Sequence, residues 1–321
     1  GPPTTWLIEG PNAHDYRRLK GLLGVGWGKE GVVDRGSPVD APQVRTRWLG
    51  HAGALFVVGG VGGRMSADGF AARLRTGDPR VGAWSNVGHP VVAEVLAGEG
   101  FDFVVADGEH SENTIGDLAT AIRAMDAAGT DTAPVVRACG AARAGIRRLL
   151  DLGPSGIVIP QVESAAEARD AVAATRYPPD GVRGVAGGRA SGYGTDLQEY
   201  VATADRRIAT ILQVETPGAV AEIETIAGID GLDALFVGPA DLSARLGAFG
   251  DFESAEFVDT IETVVAAAET AGVPIGTIAT SAETVASRFE DWGMDFIVAG
   301  NVVEFLREGA ATFRSQLDGR G

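Results

Sequence analysis

From residue 81 onward the chain alternates short, continuously apolar runs with longer stretches of helical periodicity, and it does so eight times. Runs such as Phe103-Val104-Val105-Ala106, Gly156-Ile157-Val158-Ile159 and Ala234-Leu235-Phe236-Val237 present no charged or hydrogen-bonding side chain to either face. Such a strand must be covered on both sides, the condition of parallel strands with helices packed over them. The pattern predicts strands over 81–85, 101–106, 134–137, 156–162, 208–214, 234–237, 274–278 and 295–299. Helices are expected between them, among others over 90–97, 114–128, 165–175, 255–271 and 302–316. Eight β/α units in about 250 residues are the size of a TIM (β/α)8 barrel. A doubly wound open sheet is the alternative, and its glycine-rich phosphate fingerprint is missing.

The first 64 residues stand outside this pattern. A run Trp6-Leu7-Ile8 before Gly10-Pro11-Asn12 reads as a strand and a turn. A second apolar run over 54–58 ends in Gly59-Gly60-Val61-Gly62-Gly63, which reads as a linker. Met65-Ser66-Ala67-Asp68, followed by Phe70 and Leu74, reads as a short capped helix. The expected organisation is therefore an N-terminal extension over 1–64 and a barrel domain over 65–321.

Charge and residue usage narrow the chemistry. Lys+Arg 27 against Asp+Glu 43 leaves a net charge of -16, which disfavours nucleic acid phosphates as partners. No stretch is long and apolar enough for a membrane helix and no secretory signal pattern opens the chain, so a soluble, cytoplasmic protein is expected. Cys139 is the single cysteine, which rules out an internal disulfide and a multi-cysteine zinc site. Lysine occurs only as Lys20 and Lys29. Schiff-base chemistry is thus closed to the barrel, and an electron sink must come from elsewhere.

In a TIM barrel the chemistry gathers at the C-terminal ends of the strands. There the sequence places Trp84, Asp107-Gly108-Glu109-His110, Arg137, Gln213-Val214-Glu215, Gly238-Pro239-Ala240-Asp241 and Gly300-Asn301. Carboxylates converging on one rim are costly unless paired or bound to a cation, and two of them with room for water suit a hard divalent ion. Each residue also has a structural reading. Asp107 and Asp241 fit as helix caps, Glu215-Thr216-Pro217 as a helix start, Arg137 as an ion-pair partner and Trp84 as packing.

Residues 65 to 317 resemble the HpcH/HpaI aldolase family, the metal-dependent class II pyruvate aldolases typified by 4-hydroxy-2-oxoheptanedioate aldolase. The resemblance rests on Gly82-Ala83-Trp84, Asp107-Gly108-Glu109-His110, Pro134-Val135-Val136-Arg137, Leu149-Leu150-Asp151-Leu152-Gly153, the run from Thr175-Arg176-Tyr177 to Val182-Arg183-Gly184, Gln213-Val214-Glu215 and Gly238-Pro239-Ala240-Asp241-Leu242-Ser243. It implies that Glu215 and Asp241 hold a divalent metal (Mg²⁺, Mn²⁺ or Co²⁺), and that His110 is the base, oriented by Asp151. It further implies that Arg137 contacts the pyruvate oxygens and that Trp84, Gln213 and Ala240 line the substrate. Asp107 would sit at the mouth and work across a subunit contact, because the family forms hexamers. The segment Ala138-Cys139-Gly140-Ala141-Ala142-Arg143 and the glycine-rich stretch 186–194 depart from the family pattern, and residues 1–64 have no counterpart in it.

The expected reaction is cleavage of a 4-hydroxy-2-oxo acid to pyruvate and an aldehyde, and its reverse. Two other readings stand beside it. One is a lyase or synthase on the same scaffold using oxaloacetate, phosphoenolpyruvate or an acyl-CoA thioester. The other is a non-enzymatic binding protein.

Overall fold

The structure, a computed structural model, describes residues 46–48, 55–57, 69–76 and 80–318. The chain divides into two compact units, Gly1–Arg64 and Met65–Gly321. In the first, β1 (Thr46–Trp48) and β2 (Leu55–Val57) pair antiparallel, Arg47 opposite Phe56. β2 falls within the apolar run expected over 54–58, whereas Trp6-Leu7-Ile8 and Met65-Ser66-Ala67-Asp68 lie outside the described residues.

The second unit is a closed parallel barrel of β3 (Arg80–Ser85), β4 (Phe103–Asp107), β5 (Ala133–Arg137), β6 (Gly156–Ile159), β7 (Ala209–Val214), β8 (Ala234–Val237), β9 (Ile275–Ala279) and β10 (Phe296–Asn301), with β10 closing on β3. The helices are α1 (Gly69–Arg75), α2 (Pro90–Gly98), α3 (Ile115–Ala127), α4 (Arg143–Leu150), α5 (Ala165–Thr175), α6 (Leu197–Arg207), α7 (Pro217–Ala221), α8 (Ile223–Ala227), α9 (Pro239–Arg245), α10 (Ala255–Ala271), α11 (Ala282–Glu290) and α12 (Val302–Asp318). They alternate with the barrel strands as in a TIM barrel, apart from α1 before the first of them, and α12 follows the last.

Two hydrophobic layers follow from the two-residue period of a strand. Trp84, Phe103, Val105, Val135, Ile211 and Phe236 fill the barrel interior. The alternate residues, among them Ala83, Val104, Val136, Leu212 and Leu235, pack outward against the helices. The inward parity, continued to the strand ends, reaches Asp107, Arg137, Gln213 and Glu215, so the same period that builds the core aims these side chains into the barrel mouth.

At the opposite end the strands begin with a repeated device. Asp102, Asp233 and Asp295 each precede a strand and accept the backbone N–H of a residue at the start of the preceding one, from Val81 (3.0 Å), Thr210 (2.8 Å) and Ile275 (2.9 Å). These buried or part-buried donors are thereby satisfied where the ladder has not yet begun. α1 closes this end: Phe70 and Leu74 are buried in the inner core, Arg73 pairs with Asp102 at 2.9 Å, and Arg75 pairs with Asp233.

The strands expected over 101–106 and 156–162 are shorter at one end. Asp102 gives its side chain to the neighbouring strand, so the ladder starts at Phe103. Pro160 has no N–H to donate and Gln161 adopts φ 58, so β6 stops at Ile159.

Candidate active site

β4 and β5 end side by side, with Asp107 directly opposite Arg137. The guanidinium forks onto the carboxylate, Nε to Oδ1 and Nη2 to Oδ2, both at 2.8 Å. Its Nη1 lies 2.9 Å from Oε2 of Glu109, and its face lies 4.7 Å from the Trp84 ring centre. Both charges are buried, Asp107 at 2% and Arg137 at 7% exposure, and a bidentate pair is the geometry that offsets such desolvation. Burial by itself pushes the Asp107 carboxyl up. The Arg137 fork, the Glu109 amide at 2.9 Å and the Trp84 indole outweigh it and hold Asp107 below the usual carboxylate range. Asp107 thus lies at the mouth as expected, buried there and committed to Arg137 within the chain.

The following loop is tied back to this strand end. Ser111 and Asn113 donate to the Asp107 carbonyl at 2.6 and 2.8 Å. Gly108 runs so close to the next strand that a Cβ would sit 2.6 Å from the Arg137 carbonyl oxygen. The turn faces Glu109 inward and leaves His110 on the rim, its side chain 65% exposed and Nε2 3.9 Å from Glu109 Oε1. Glu109 had no assigned role in the sequence reading. Its place between Arg137 and His110 depends on this turn, and the only sequence signal for it is adjacency to Asp107 and His110.

Glu215 follows β7 and is 1% exposed. Each oxygen has a neutral donor: the Gln161 amide reaches Oε1 at 2.7 Å, and Gln213 Nε2 donates to Oε2. Gly238 leaves room for both side chains, since a Cβ there would meet Glu215 Oε2 at 2.6 Å and Gln213 Nε2 at 2.8 Å. Burial pushes the Glu215 carboxyl above its ordinary value, and the negative charges of Asp241 and Glu109 add to the rise, against the two hydrogen bonds. Asp241 lies in the first turn of α9, half-buried, next to the exposed Ala240. Its carboxylate has no hydrogen bond or ion pair among the described residues.

The helix-cap reading fails for Asp107, since Thr114 caps α3. A helix does start at Thr216-Pro217, with Thr216 as the cap of α7, which leaves the Glu215 side chain free for the mouth. Gly238 occupies the cap position of α9, with Asp241 inside its first turn. Asn301, by contrast, is spent on structure: its side chain accepts the amides of Val303 and Glu304 at 3.0 and 3.1 Å, at the start of α12.

Within the chain Asp151 is not brought to His110. It ends α4, and Ser155, four residues on, bonds to Pro134 at the start of β5, so Asp151 belongs to the end of the barrel opposite Arg137. α4 alone carries the chain about 12 Å away from the rim. The Asp151 carboxylate instead meets Arg183 at 3.4 Å. That guanidinium is fully buried, with the Tyr177 and Tyr200 ring centres 4.6 and 5.4 Å from it. This part of the motif pins the segment after α5 to the end of α4.

The residues at the mouth fit a divalent cation. Arg137 neutralises Asp107 and faces Glu109, but Glu215 is buried with neutral donors only and Asp241 is free beside it. Two hard oxygen donors and a local excess of negative charge suit an ion that keeps several waters. Among the described residues no three His, Cys, Asp or Glu side chains cage a metal by themselves, and this carboxylate pair is what could hold one together with water. No helix of the described residues is long and apolar enough to cross a membrane.

Comparison with known proteins places the chain in a family. The family model for HpcH/HpaI aldolase/citrate lyase matches residues 80–307. A hydroxypyruvate/pyruvate aldolase of Delftia acidovorans is 40% identical over 248 residues, covering 77% of this chain and 91% of the relative. A 5-keto-4-deoxy-D-glucarate aldolase of Salmonella paratyphi A is 39% identical over 233 residues, covering 72% and 90%. The crystal structure of an HpcH/HpaI aldolase/citrate lyase family protein from Burkholderia cenocepacia superposes with a TM-score of 0.73 at 36% identity, covering 78% of this chain and 98% of that one. A barrel with these strand ends, matched over that span, belongs to the HpcH/HpaI aldolase/citrate lyase family and is an enzyme of its aldolase/lyase type.

Proposed function

We propose that the protein is a divalent-metal-dependent pyruvate aldolase, which cleaves a 4-hydroxy-2-oxo acid to pyruvate and an aldehyde and runs the reverse addition. The observation that carries this is Glu215: a buried carboxylate with no cationic partner among the described residues, beside the unpaired Asp241. The names of both relatives, a hydroxypyruvate/pyruvate aldolase and a keto-deoxy-glucarate aldolase, point to oxo-acid substrates. No lysine occurs beyond Lys29, so no amine of the barrel can take the electrons as an iminium.

Glu215 and Asp241 would hold the ion (Mg²⁺, Mn²⁺ or Co²⁺). When bound, it supplies Lewis acidity at the keto oxygen and so stabilises the enolate. Arg137 uses two of its five N–H groups on Asp107 and is fixed further by Trp84 and Glu109, so its remaining donors meet the substrate oxygens preorganised. Asp107 acts through Arg137, as a positioning residue. Trp84, Gln213 and Ala240 line the substrate. His110 stands on the rim where a proton can be exchanged with the substrate or with water. In cleavage it takes the hydroxyl proton, the carbon–carbon electron pair passes into the enolate and the aldehyde leaves. Protonation of the enolate carbon then gives pyruvate. We also read the protein as a homo-oligomer, since α12 exposes the apolar side chains of Leu306 (72%) and Phe313 (64%).

Pyruvate methyl-proton exchange in deuterated water tests the reading without knowledge of the aldehyde. Exchange is expected with Mn²⁺ and lost in EDTA, and borohydride with pyruvate should leave no covalent adduct. Full exchange in chelator, or an adduct trapped on Lys20 or Lys29, contradicts it.

A further inference from the structure

We infer that Gln161 is a positioning residue that fixes Glu215 relative to Asp241, an inference that rests on the metal-site reading above. Gln161 is a non-glycine residue at φ 58, in the left-handed region that side chains other than Asn and Asp rarely occupy. In that conformation its backbone N–H reaches Glu215 Oε1 at 2.7 Å. Rotating φ to the ordinary negative range would turn this N–H away from the carboxylate unless the whole loop moved.

The side chain supplies what holds the conformation. Gln161 Oε1 accepts Arg245 Nη2 at 2.6 Å, and Arg245 also lies 3.6 Å from Glu163 of the same loop. Arg245 is the last residue of α9, the helix whose first turn carries Asp241. A connected path therefore runs from one carboxylate to the other: Glu215, the Gln161 amide, the Gln161 side chain, Arg245, and the helix of Asp241. Thr216 closes the loop from the other side by donating to the Val162 carbonyl at 2.8 Å. Glutamine has the length to reach Arg245 and adds no charge. A glutamate at 161 would place another anion beside a carboxyl already crowded by Asp241 and Glu109. Partners that orient metal-binding side chains in this way typically matter about 10–100-fold in metal affinity.

The test is Mn²⁺ affinity, read from the free-ion paramagnetic signal, alongside the melting temperature of each full-length variant. Gln161→Val, whose branched side chain disfavours positive φ, should weaken Mn²⁺ binding by about 10–100-fold. Gln161→Asn tolerates the conformation and keeps the N–H, and should bind Mn²⁺ more tightly than Gln161→Val. Arg245→Met leaves the loop backbone unchanged in sequence and should also weaken Mn²⁺ binding, which decides the matter if Gln161→Val does not fold. Wild-type Mn²⁺ affinity in Gln161→Val or in Arg245→Met, or equal weakening in Gln161→Asn and Gln161→Val, overturns the inference while the metal site stands. Failure of the wild-type protein to bind Mn²⁺ overturns the metal-site reading, and this inference with it.

Discussion

At the scale of single residues, the mouth of the barrel separates a buried charge pair, Asp107 and Arg137, from a buried carboxylate, Glu215, that has only neutral donors among the described residues. Removing a partner from a buried pair typically costs about 3–5 kcal/mol, so Asp107→Ala should lower stability by roughly that amount. Arg137→Lys should keep the charge but lose the fork, and thermal unfolding with pyruvate exchange on the same samples would show both effects. Glu215 behaves in the opposite sense. Its folded-state carboxyl is raised by burial first and by Asp241 and Glu109 second, so its contribution to metal-free stability is present in acid and lost as pH rises through its folded value. Metal-free Glu215→Gln should therefore gain stability relative to wild type as pH rises from acid toward neutral. A difference that does not vary with pH would contradict this. The rim residues were legible in the sequence because the two-residue strand period carries the core pattern straight to Asp107, Arg137, Gln213 and Glu215. Glu109 and Gln161 were not, because their orientation depends on a tight turn and a positive φ that no local propensity announces. The contact of Asp151 with His110 that the family resemblance implies is not made within one chain, because Asp151 ends α4 and pairs with Arg183.

At the scale of elements, each strand was placed to within a few residues, since a continuous apolar run bounded by turn residues has few other uses in a barrel. The shifted ends came from Asp102 and Pro160, whose effects lie in side-chain competition and a missing donor. The least anticipated element role is that of α1. It reads as a short helix before the first barrel strand, yet Phe70 packs 5.3 Å from Phe103 and closes the barrel floor. Phe70→Ala should cost about 3–5 kcal/mol, measured by denaturant unfolding, with Mn²⁺ affinity of the folded protein unchanged because the floor lies opposite the mouth. A near-neutral substitution would show that α1 is peripheral to the core.

For the whole molecule, the barrel unit begins at Met65 and contains every residue assigned to the mouth. A protein starting at Met65 should fold and keep enolate formation, whereas insoluble or inactive product would make residues 1–64 integral. Charged replacements at Leu306 and Phe313 should lower the sedimentation coefficient if α12 carries the subunit contact, and an unchanged coefficient would place that contact elsewhere. As proposed, the mouth divides its labour between a metal-holding carboxylate pair and a proton-moving histidine. This division is tested most directly by titrating Mn²⁺ into Glu215→Gln, Asp241→Asn and His110→Ala and then following pyruvate methyl exchange on the same samples. The carboxylate variants should bind Mn²⁺ weakly. His110→Ala should bind it as wild type does and exchange methyl protons more slowly by about 10²–10⁴-fold, the usual cost of losing a general base. Loss of Mn²⁺ binding in His110→Ala with its retention in Glu215→Gln would contradict the account.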